Sequence, residues 1–481
     1  MVFRYNRAAP AHVARLPRDA SGRAAETGKR VSLGERLAEI RAGFHRSFWI
    51  ANTTELFERL AYYGTSAVLA IYLREQLRFS AELAGWMLGT FGFVVWFLPV
   101  LGGTLADRFG FRRALLFAYL VMSVGYFLLG SLSAPWMQSL RVVLGDKWLV
   151  LAILMIPALG PAVVKPCVAG TTARASTESV RPLGYSIYYT IVNIGGTLGP
   201  VVAWLVRKQL GWGIENVFRV CSLSVFLMFW VTLFFFREVP AAAEQKVASI
   251  GVALRNLVLV LGNGRFMLFL LIFSGYWVVF WQQYIAAPLF VRGYISPNAD
   301  VDLLLSADAF TVICFQILVS YLTRRIAAIP AITLGILISS VSWVILAVHP
   351  ASPALAGVAS SLASAVFSHS VTVDPAAPML VLTLMVLALG EITQSPRYYE
   401  YVSRLAPPGQ EGLFMGYAFL PIAIGYFIAG VLGGGLLHYF GEVLHRPQQM
   451  WWVISGVGIL TALLMLVYDR ALKPLTDPRS S

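Results

Sequence analysis

Residues 48–73 read FWIANTTELFERLAYYGTSAVLAIYL. The run is long enough to cross a hydrocarbon layer of about 30 Å as a helix, yet it carries Glu55, Glu58 and Arg59 near its middle. An α-helix advances about 100° per residue. With Glu55 at zero, Glu58 falls near −60°, Arg59 near +40°, Tyr62 near −20°, Tyr63 near +80° and Ser66 near +20°, all about as ideal geometry gives them. These polar side chains share an arc of roughly 140°, while Leu56, Phe57, Leu60, Ala61, Val68 and Leu69 supply the rest of the surface. One wet face and one apolar face describe a helix lining a cavity inside a membrane protein. A Glu55–Arg59 pair at i,i+4 would serve helix packing alone; the second carboxylate exceeds what packing needs. Ionisable groups inside a membrane mark ion and proton pathways.

The rest of the chain agrees with a membrane reading. Of 481 residues, 58% are apolar and 13% charged, where a soluble domain carries about 25% charged residues, and the mean hydropathy is +0.71. Apolar runs near 48–73, 84–105, 114–133, 148–170, 183–206 and 217–236 predict six spans. Runs near 266–291, 303–323, 329–348, 379–402, 412–436 and 450–468 predict six more. The expected organisation is a basic N-terminal arm over 1–47, a six-helix bundle over 48–236, a connector over 237–264, a second bundle over 265–468 and a tail over 469–481. With both termini cytoplasmic, 26 Lys and Arg fall on inner segments against 9 on outer ones, as the positive-inside rule requires. The net charge of +13 therefore belongs to membrane topology and not to nucleic acid. Residues 1–47 lack the apolar core of a cleavable signal. Residues 350–378, rich in Ala and Ser, read as an outer loop with a surface helix.

The two predicted halves echo each other. LGPAVVKP at 159–166 resembles LGEITQSP at 389–396, and LGYSIYYTIVNIGG at 183–196 resembles MGYAFLPIAIGYFIAG at 415–430. Repeated halves place a transport site at their interface, near the membrane midplane. Each echo holds a buried charge: Lys165 is the only one between Lys147 and Arg174, and Glu391 the only one between Asp374 and Arg397. A Lys165–Glu391 bridge across the cavity, made in one conformation and broken in another, is the expected coupling of charge to gating. GGTLADRFGFRR at 102–113 supplies a tight inner turn, with Gly103 and Gly110 for close approach, Asp107 for a helix N-terminus and Arg108 and Arg112 as anchors.

Other chemistry finds no support. Cys167, Cys221 and Cys314 lie in apolar runs without ligand spacing and read as core-filling thiols. No histidine falls in mid-span, and no phosphate-binding lysine loop, metal-ligand cluster or nucleophile elbow is present. An enzyme, a metal site and a nucleic-acid partner are not expected. The cluster Tyr276, Trp277, Phe280, Trp281 reads as part packing and part cavity wall.

The turn at 102–113 resembles the loop signature of the major facilitator superfamily. ELFERLAYYG at 55–64 is similar to the first-span motif of that superfamily's proton-coupled oligopeptide transporters (the POT family). YSIYYTIVNIGG at 185–196, KP at 165–166 and GEITQSP at 390–396 resemble that family's fifth-, fourth- and tenth-span elements. The resemblance implies an all-α fold of about twelve spans in two pseudo-symmetric six-helix bundles, and proton-driven symport of a small peptide or related solute. It implies proton coupling by Glu55, Glu58 and Arg59, gating by Lys165 and Glu391, and a pocket lined by Tyr62, Asn193 and Trp277. Tyr63, Ser66, Trp96 and Trp281 complete the expected pocket. Three of those positions depart from the family: Ser66 stands where peptide carriers have an arginine for the peptide carboxylate, Trp281 where they have a glutamate, and Trp96 where they have a tyrosine. Arg397 and Glu400 also replace small and apolar residues.

The chain is thus expected to be a proton-coupled importer in a bacterial-type inner membrane, monomeric, without a cofactor and driven by the proton gradient. Its partners are a small solute, protons and the bilayer. An exporter exchanging protons for an amphipathic compound is the alternative, and a non-transporting membrane sensor the remaining one.

Overall fold

The computed structural model describes residues 42–100, 109–239, 260–406 and 411–471. Of two compact units, Met1–Gly43 and Phe44–Ser481, the second holds all the helices below. Twelve long segments follow in chain order: α1 (Arg46–Ile71), α2 (Ala81–Phe97), α3 (Phe111–Leu129), α4 (Asp146–Arg174), α5 (Arg181–Gln209) and α6 (Ile214–Phe235). Then come α7 (Gly264–Ile295), α8 (Val301–Thr323), α9 (Ala328–Val348), α10 (Ala377–Leu405), α11 (Phe414–Val443) and α12 (Pro447–Ala471). Ten of these are long and apolar enough to cross a membrane. The other two are α1, with its charges, and the shorter apolar α2. The arm before residue 42, most of the 237–264 connector and the end of the tail lie outside the described residues. The segment 350–378 holds one helix, Pro353–Phe367, of 15 residues, too short to span.

Each half is a bundle closed by small polar and aromatic contacts. Ser123 of α3 and Ser222 of α6 exchange bonds, each hydroxyl donating to the other's carbonyl at 3.1 and 2.7 Å. In the second half the Trp343 and Trp451 rings stack at 4.6 Å, and the Trp343 indole donates to the Val279 carbonyl. In lipid such contacts, with close packing, replace the hydrophobic force that drives soluble cores.

The halves meet along α2–α11 and α5–α8. Glycine sets the first seam. A methyl on Gly89 would lie 2.7 Å from the Phe427 carbonyl oxygen, and one on Gly434 would lie 2.5 Å from that of Ala81. Within the first half, Gly199 does the same for α5 on α1, where a methyl would meet the Leu60 oxygen at 2.7 Å.

Four spans, α1, α5, α7 and α11, run into π-helical turns at Tyr72–Gln76, Leu205–Gln209, Val291–Ile295 and Leu437–Val443. All four turns lie at the side opposite the start of α1. There Arg292 forks onto Glu75 at 2.7 and 2.8 Å, and Arg74 pairs with Glu442. Arg207 forks onto Asp302 at 2.7 and 2.8 Å and reaches Asp300, which also takes Lys208. Each of these pairs joins one half to the other. On the side where α1 starts, no ion pair between described residues crosses the seam. There the α5 face of Ser186, Tyr189 and Thr190 is exposed. Exposed hydroxyls on a membrane helix belong to a water-filled cleft, so the halves are clasped at the far side and part at the near one.

The turn expected at 102–113 is described only from Phe109 onward; Gly103, Asp107 and Arg108 lie outside the described residues. Gly110 takes a φ of +82° ahead of α3, in the region that favours glycine. The carboxylate at the α3 N-terminus is Glu238, accepting the Phe111 and Arg112 N–H groups at 2.8 Å each. Arg112 donates to the Leu233 carbonyl and so ties α3 to the end of α6.

Candidate functional site: a charged cleft between the halves

The polar stripe of α1 faces inward as the helical geometry predicts. Glu55, Glu58 and Arg59 are all buried. Arg59 forks onto Glu58, its Nη2 donating to Oε1 at 2.7 Å and its Nε to Oε2. Glu55 stands 3.4 Å from the same guanidinium, and its nearest hydroxyl is that of Tyr188 on α5, short of a closed hydrogen bond. One arginine therefore serves two carboxylates unequally. It is held there because α5 presents Gly195 against the Arg59 Cβ, where a methyl would lie 2.6 Å away. The guanidinium also sits 5.1 Å from the Tyr62 ring centre.

Ser66 is on the same face but its hydroxyl donates to the Tyr62 carbonyl at 2.8 Å, a bond within its own helix. The Tyr62 hydroxyl is buried without a partner, and Tyr63 reaches across the seam to Tyr284 of α7, with ring centres 6.1 Å apart. Asn193 of α5 is half-buried and donates to the Tyr189 carbonyl.

Lys165 and Glu391 are not brought together. The Lys165 ammonium lies 3.2 Å above the centre of the Trp96 ring, with Phe419 of α11 at 5.8 Å. Glu391 makes no ion pair among the described residues and shares its surroundings with Asp308 of α8. The expected bridge is absent in this state: Lys165 has its partners in its own half, the Trp96 ring and the charges of Glu55 and Glu58. Arg397 and Glu400 pair with each other at 2.7 Å, and Arg397 donates to the Thr323 carbonyl, fastening α10 to α8.

Trp96, Trp277 and Trp281 form an aromatic wall with Tyr426 and Phe419. Trp281 lies 5.8 Å from Trp96, 6.1 Å from Trp277 and 4.3 Å from Tyr426, centre to centre. The three indole N–H groups are buried without a closed hydrogen bond, that of Trp96 beside the Tyr62 hydroxyl. Two residues were not singled out from sequence: Asp308, and Gln283 of α7, which is buried with its amide beside the Asp308 carboxylate. Asp308 falls five residues into the predicted span 303–323, within its first two turns, where an aspartate reads as part of a helix end. Of the cysteines, Cys167 and Cys221 are buried, whereas Cys314 is exposed on the apolar surface and fills no core.

The family model for the Major Facilitator Superfamily matches residues 53–377, more than half of the chain. The chain belongs to the Major Facilitator Superfamily. It is accordingly a multi-pass membrane transporter and not an enzyme. This superfamily member is 22% identical over 427 residues to the multidrug resistance protein MdtH of Aeromonas hydrophila, covering 87% of this chain and 94% of that one. MdtH of Proteus mirabilis is also 22% identical, over 84% of this chain and 89% of that one. Among solved structures, a POT family transporter in complex with 5-aminolevulinic acid aligns with a TM-score of 0.68 at 16% identity, over 89% of this chain and 97% of that one. An autoinhibited POT family peptide transporter gives 0.68 at 18% identity, over 91% and 99%. The superfamily member thus has the fold of those transporters.

Proposed function

We propose that this chain is a proton-coupled symporter that imports a small peptide or peptide-like solute by alternating access. The observation that carries the reading is the unequal sharing of Arg59. With both carboxylates ionised, the guanidinium is fixed on Glu58, and Glu55 keeps only its longer contact with Arg59 and the field of Lys165. A proton on Glu58 cancels its attraction, and the guanidinium turns to Glu55, 3.4 Å away. Loading a proton thereby rearranges the wall of the cleft that also holds the solute. The near-side opening is the releasing state of such a cycle, with the near side cytoplasmic and the membrane a bacterial-type inner one. The carrier works as a monomer, without a cofactor, on the proton gradient. The POT family neighbours that hold 5-aminolevulinic acid and alafosfalin support a peptide-like solute.

Purified protein in proteoliposomes tests this. An inward proton gradient is expected to drive accumulation of dialanine, and Glu58→Gln to cut gradient-driven uptake by about tenfold or more while exchange at equal pH continues. Accumulation that survives Glu58→Gln intact overturns the role of that residue. The exporter reading draws on the tryptophan wall and on the curated relatives named for multidrug resistance. It predicts the opposite flux, a proton gradient driving solute out of the side that holds the termini.

A further inference from the structure

On the far side, each half carries a short helix outside its spans. Pro135–Leu144 follows α3, and Pro353–Phe367 follows α9. α3 and α9 are the third spans of their halves, and both short helices open on a proline, so the two are counterparts under the repeat. Each turns apolar side chains outward. On the first, Trp136, Leu140, Val142, Val143 and Leu144 are exposed, Val142 at 86%. On the second, Leu355, Val358, Leu362 and Val366 are exposed. With Leu355 at zero, the other three fall near about −60°, −20° and +20°, which makes one stripe along the helix.

Water is a poor neighbour for either stripe. Between His349 and Asp374 there is no Asp, Glu, Lys or Arg, where a soluble surface would hold about a quarter charged residues. The hydroxyls of that segment are already spent. Ser360 donates to the Ala356 carbonyl at 2.7 Å and accepts the Val373 N–H at 2.9 Å; Ser364 accepts the Val371 N–H at 2.8 Å. Ser361 donates to the Gly357 carbonyl at 3.0 Å. A hairpin whose polar groups close on themselves suits hydrocarbon. On the first helix the one charge, Arg141, turns back onto Asp146 at 2.7 and 2.9 Å. Just beyond, the Lys147 ammonium lies 4.7 Å from the Trp148 ring centre and 5.2 Å from that of Trp86, and exposed tryptophan beside lysine marks a membrane–water boundary. The link His349–Ser352 reaches at most about 18 Å, so the second helix stays at the membrane face where α9 ends.

We propose that these two helices lie in the far-side leaflet, one from each half, with lipid acyl chains against Val142, Val143, Leu355, Val358, Leu362 and Val366. They act as paired floats that hold the far ends of the two bundles at a fixed depth. The second float is joined to the clasp: its return segment ends at Asp374, which accepts the Ser296 hydroxyl directly after the turn that carries Arg292. The inference goes beyond the direction of transport and holds for an importer and an exporter alike.

The test places a nitroxide label on Val143→Cys, Val358→Cys or Leu362→Cys in a full chain carrying Cys314→Ser, whose remaining Cys167 and Cys221 are buried. The chain sits in nanodiscs of phosphatidylethanolamine and phosphatidylglycerol. Leu318→Cys on α8 is the lipid-facing reference and Asn298→Cys, in the turn after α7, the aqueous one; both positions are exposed. Power saturation reads collisions with dissolved oxygen, which concentrates in lipid, and with a water-soluble nickel chelate. At all three sites the oxygen-to-nickel ratio is expected to exceed that of Asn298→Cys by about threefold or more, approaching that of Leu318→Cys. A ratio equal to that of Asn298→Cys overturns the proposal, since the helices then lie in water. Low access to both reagents overturns it as well, because a protein partner excludes oxygen and nickel alike. Spin–spin broadening that vanishes on dilution with unlabelled chain makes the stripe a contact between copies and overturns the lipid seat. If only one helix gives the high ratio, the pairing is overturned.

Discussion

The ammonium of Lys165 lies 3.2 Å above the centre of the Trp96 ring, inside one half of the transporter, with Phe419 across the seam at 5.8 Å. A desolvated cation over an indole face gains about 2 kcal/mol, comparable to a modest ion pair. The ring thus holds the lysine in the first half while the near side is open.

Replacing that ring tests the contact. Trp96→Phe is expected to lower the stability of the detergent-solubilised protein by about 1–2 kcal/mol. In a Lys165→Met background the same replacement is expected to cost about 1 kcal/mol less. Equal losses in both backgrounds, measured by thermal unfolding, would mean that the ring acts by packing alone.

Arg59 tolerates no simple exchange of cations. Lysine offers one point charge where the guanidinium makes two parallel bonds to Glu58 and still faces Glu55. Arg59→Lys is expected to keep the protein folded but reduce proton-driven uptake by about tenfold or more. Uptake rates at matched protein levels decide it.

The far-side clasp predicts a shift of conformation. Asp302 is fully buried beneath Arg207, and breaking a buried pair costs about 3–5 kcal/mol. Arg207→Ala is expected to weaken the near-open state by at least about tenfold in population. Spin labels on the far ends of α5 and α8 should then show a longer distance in most molecules. An unchanged distance distribution would show that the glycine seam closes the far side without the clasp.

At that seam and its counterpart in the first half, backbone meets backbone. Gly199→Val drives a side chain into the Leu60 oxygen and the Gly64 nitrogen, with even a methyl at 2.7 and 2.8 Å. It is expected to destabilise by about 3 kcal/mol and to lower the yield of monodisperse protein. The exposed α5 position Thr190→Val, measured alongside, should change stability by less than about 0.5 kcal/mol.

Much of the architecture was legible before folding, because lipid removes water as a partner for the backbone. Every segment must satisfy its own hydrogen bonds as a helix, so apolar runs in the sequence mark where the long helices lie. The inward stripe of α1 was legible for the same reason: a helix fixes the angle between Glu55 and Arg59 whatever surrounds it. Glu58, by contrast, forks onto Arg59 while Glu55 does not, an inequality that the helical angle alone does not contain.

Partners across elements were beyond the sequence. Lys165 and Glu391 are each solitary charges in echoing segments, a pattern that suggests a pair. The tertiary structure gives Lys165 an indole and Glu391 a second carboxylate, Asp308, from a helix whose sequence marks it as an ordinary span end. The sequence by itself determined an all-helical membrane transporter with charges inside it, since helix periodicity and the cost of burying charge are local. Only the packing of α2 on α11 and α5 on α8 decided which charges meet, because that depends on distances between helices that no local rule contains.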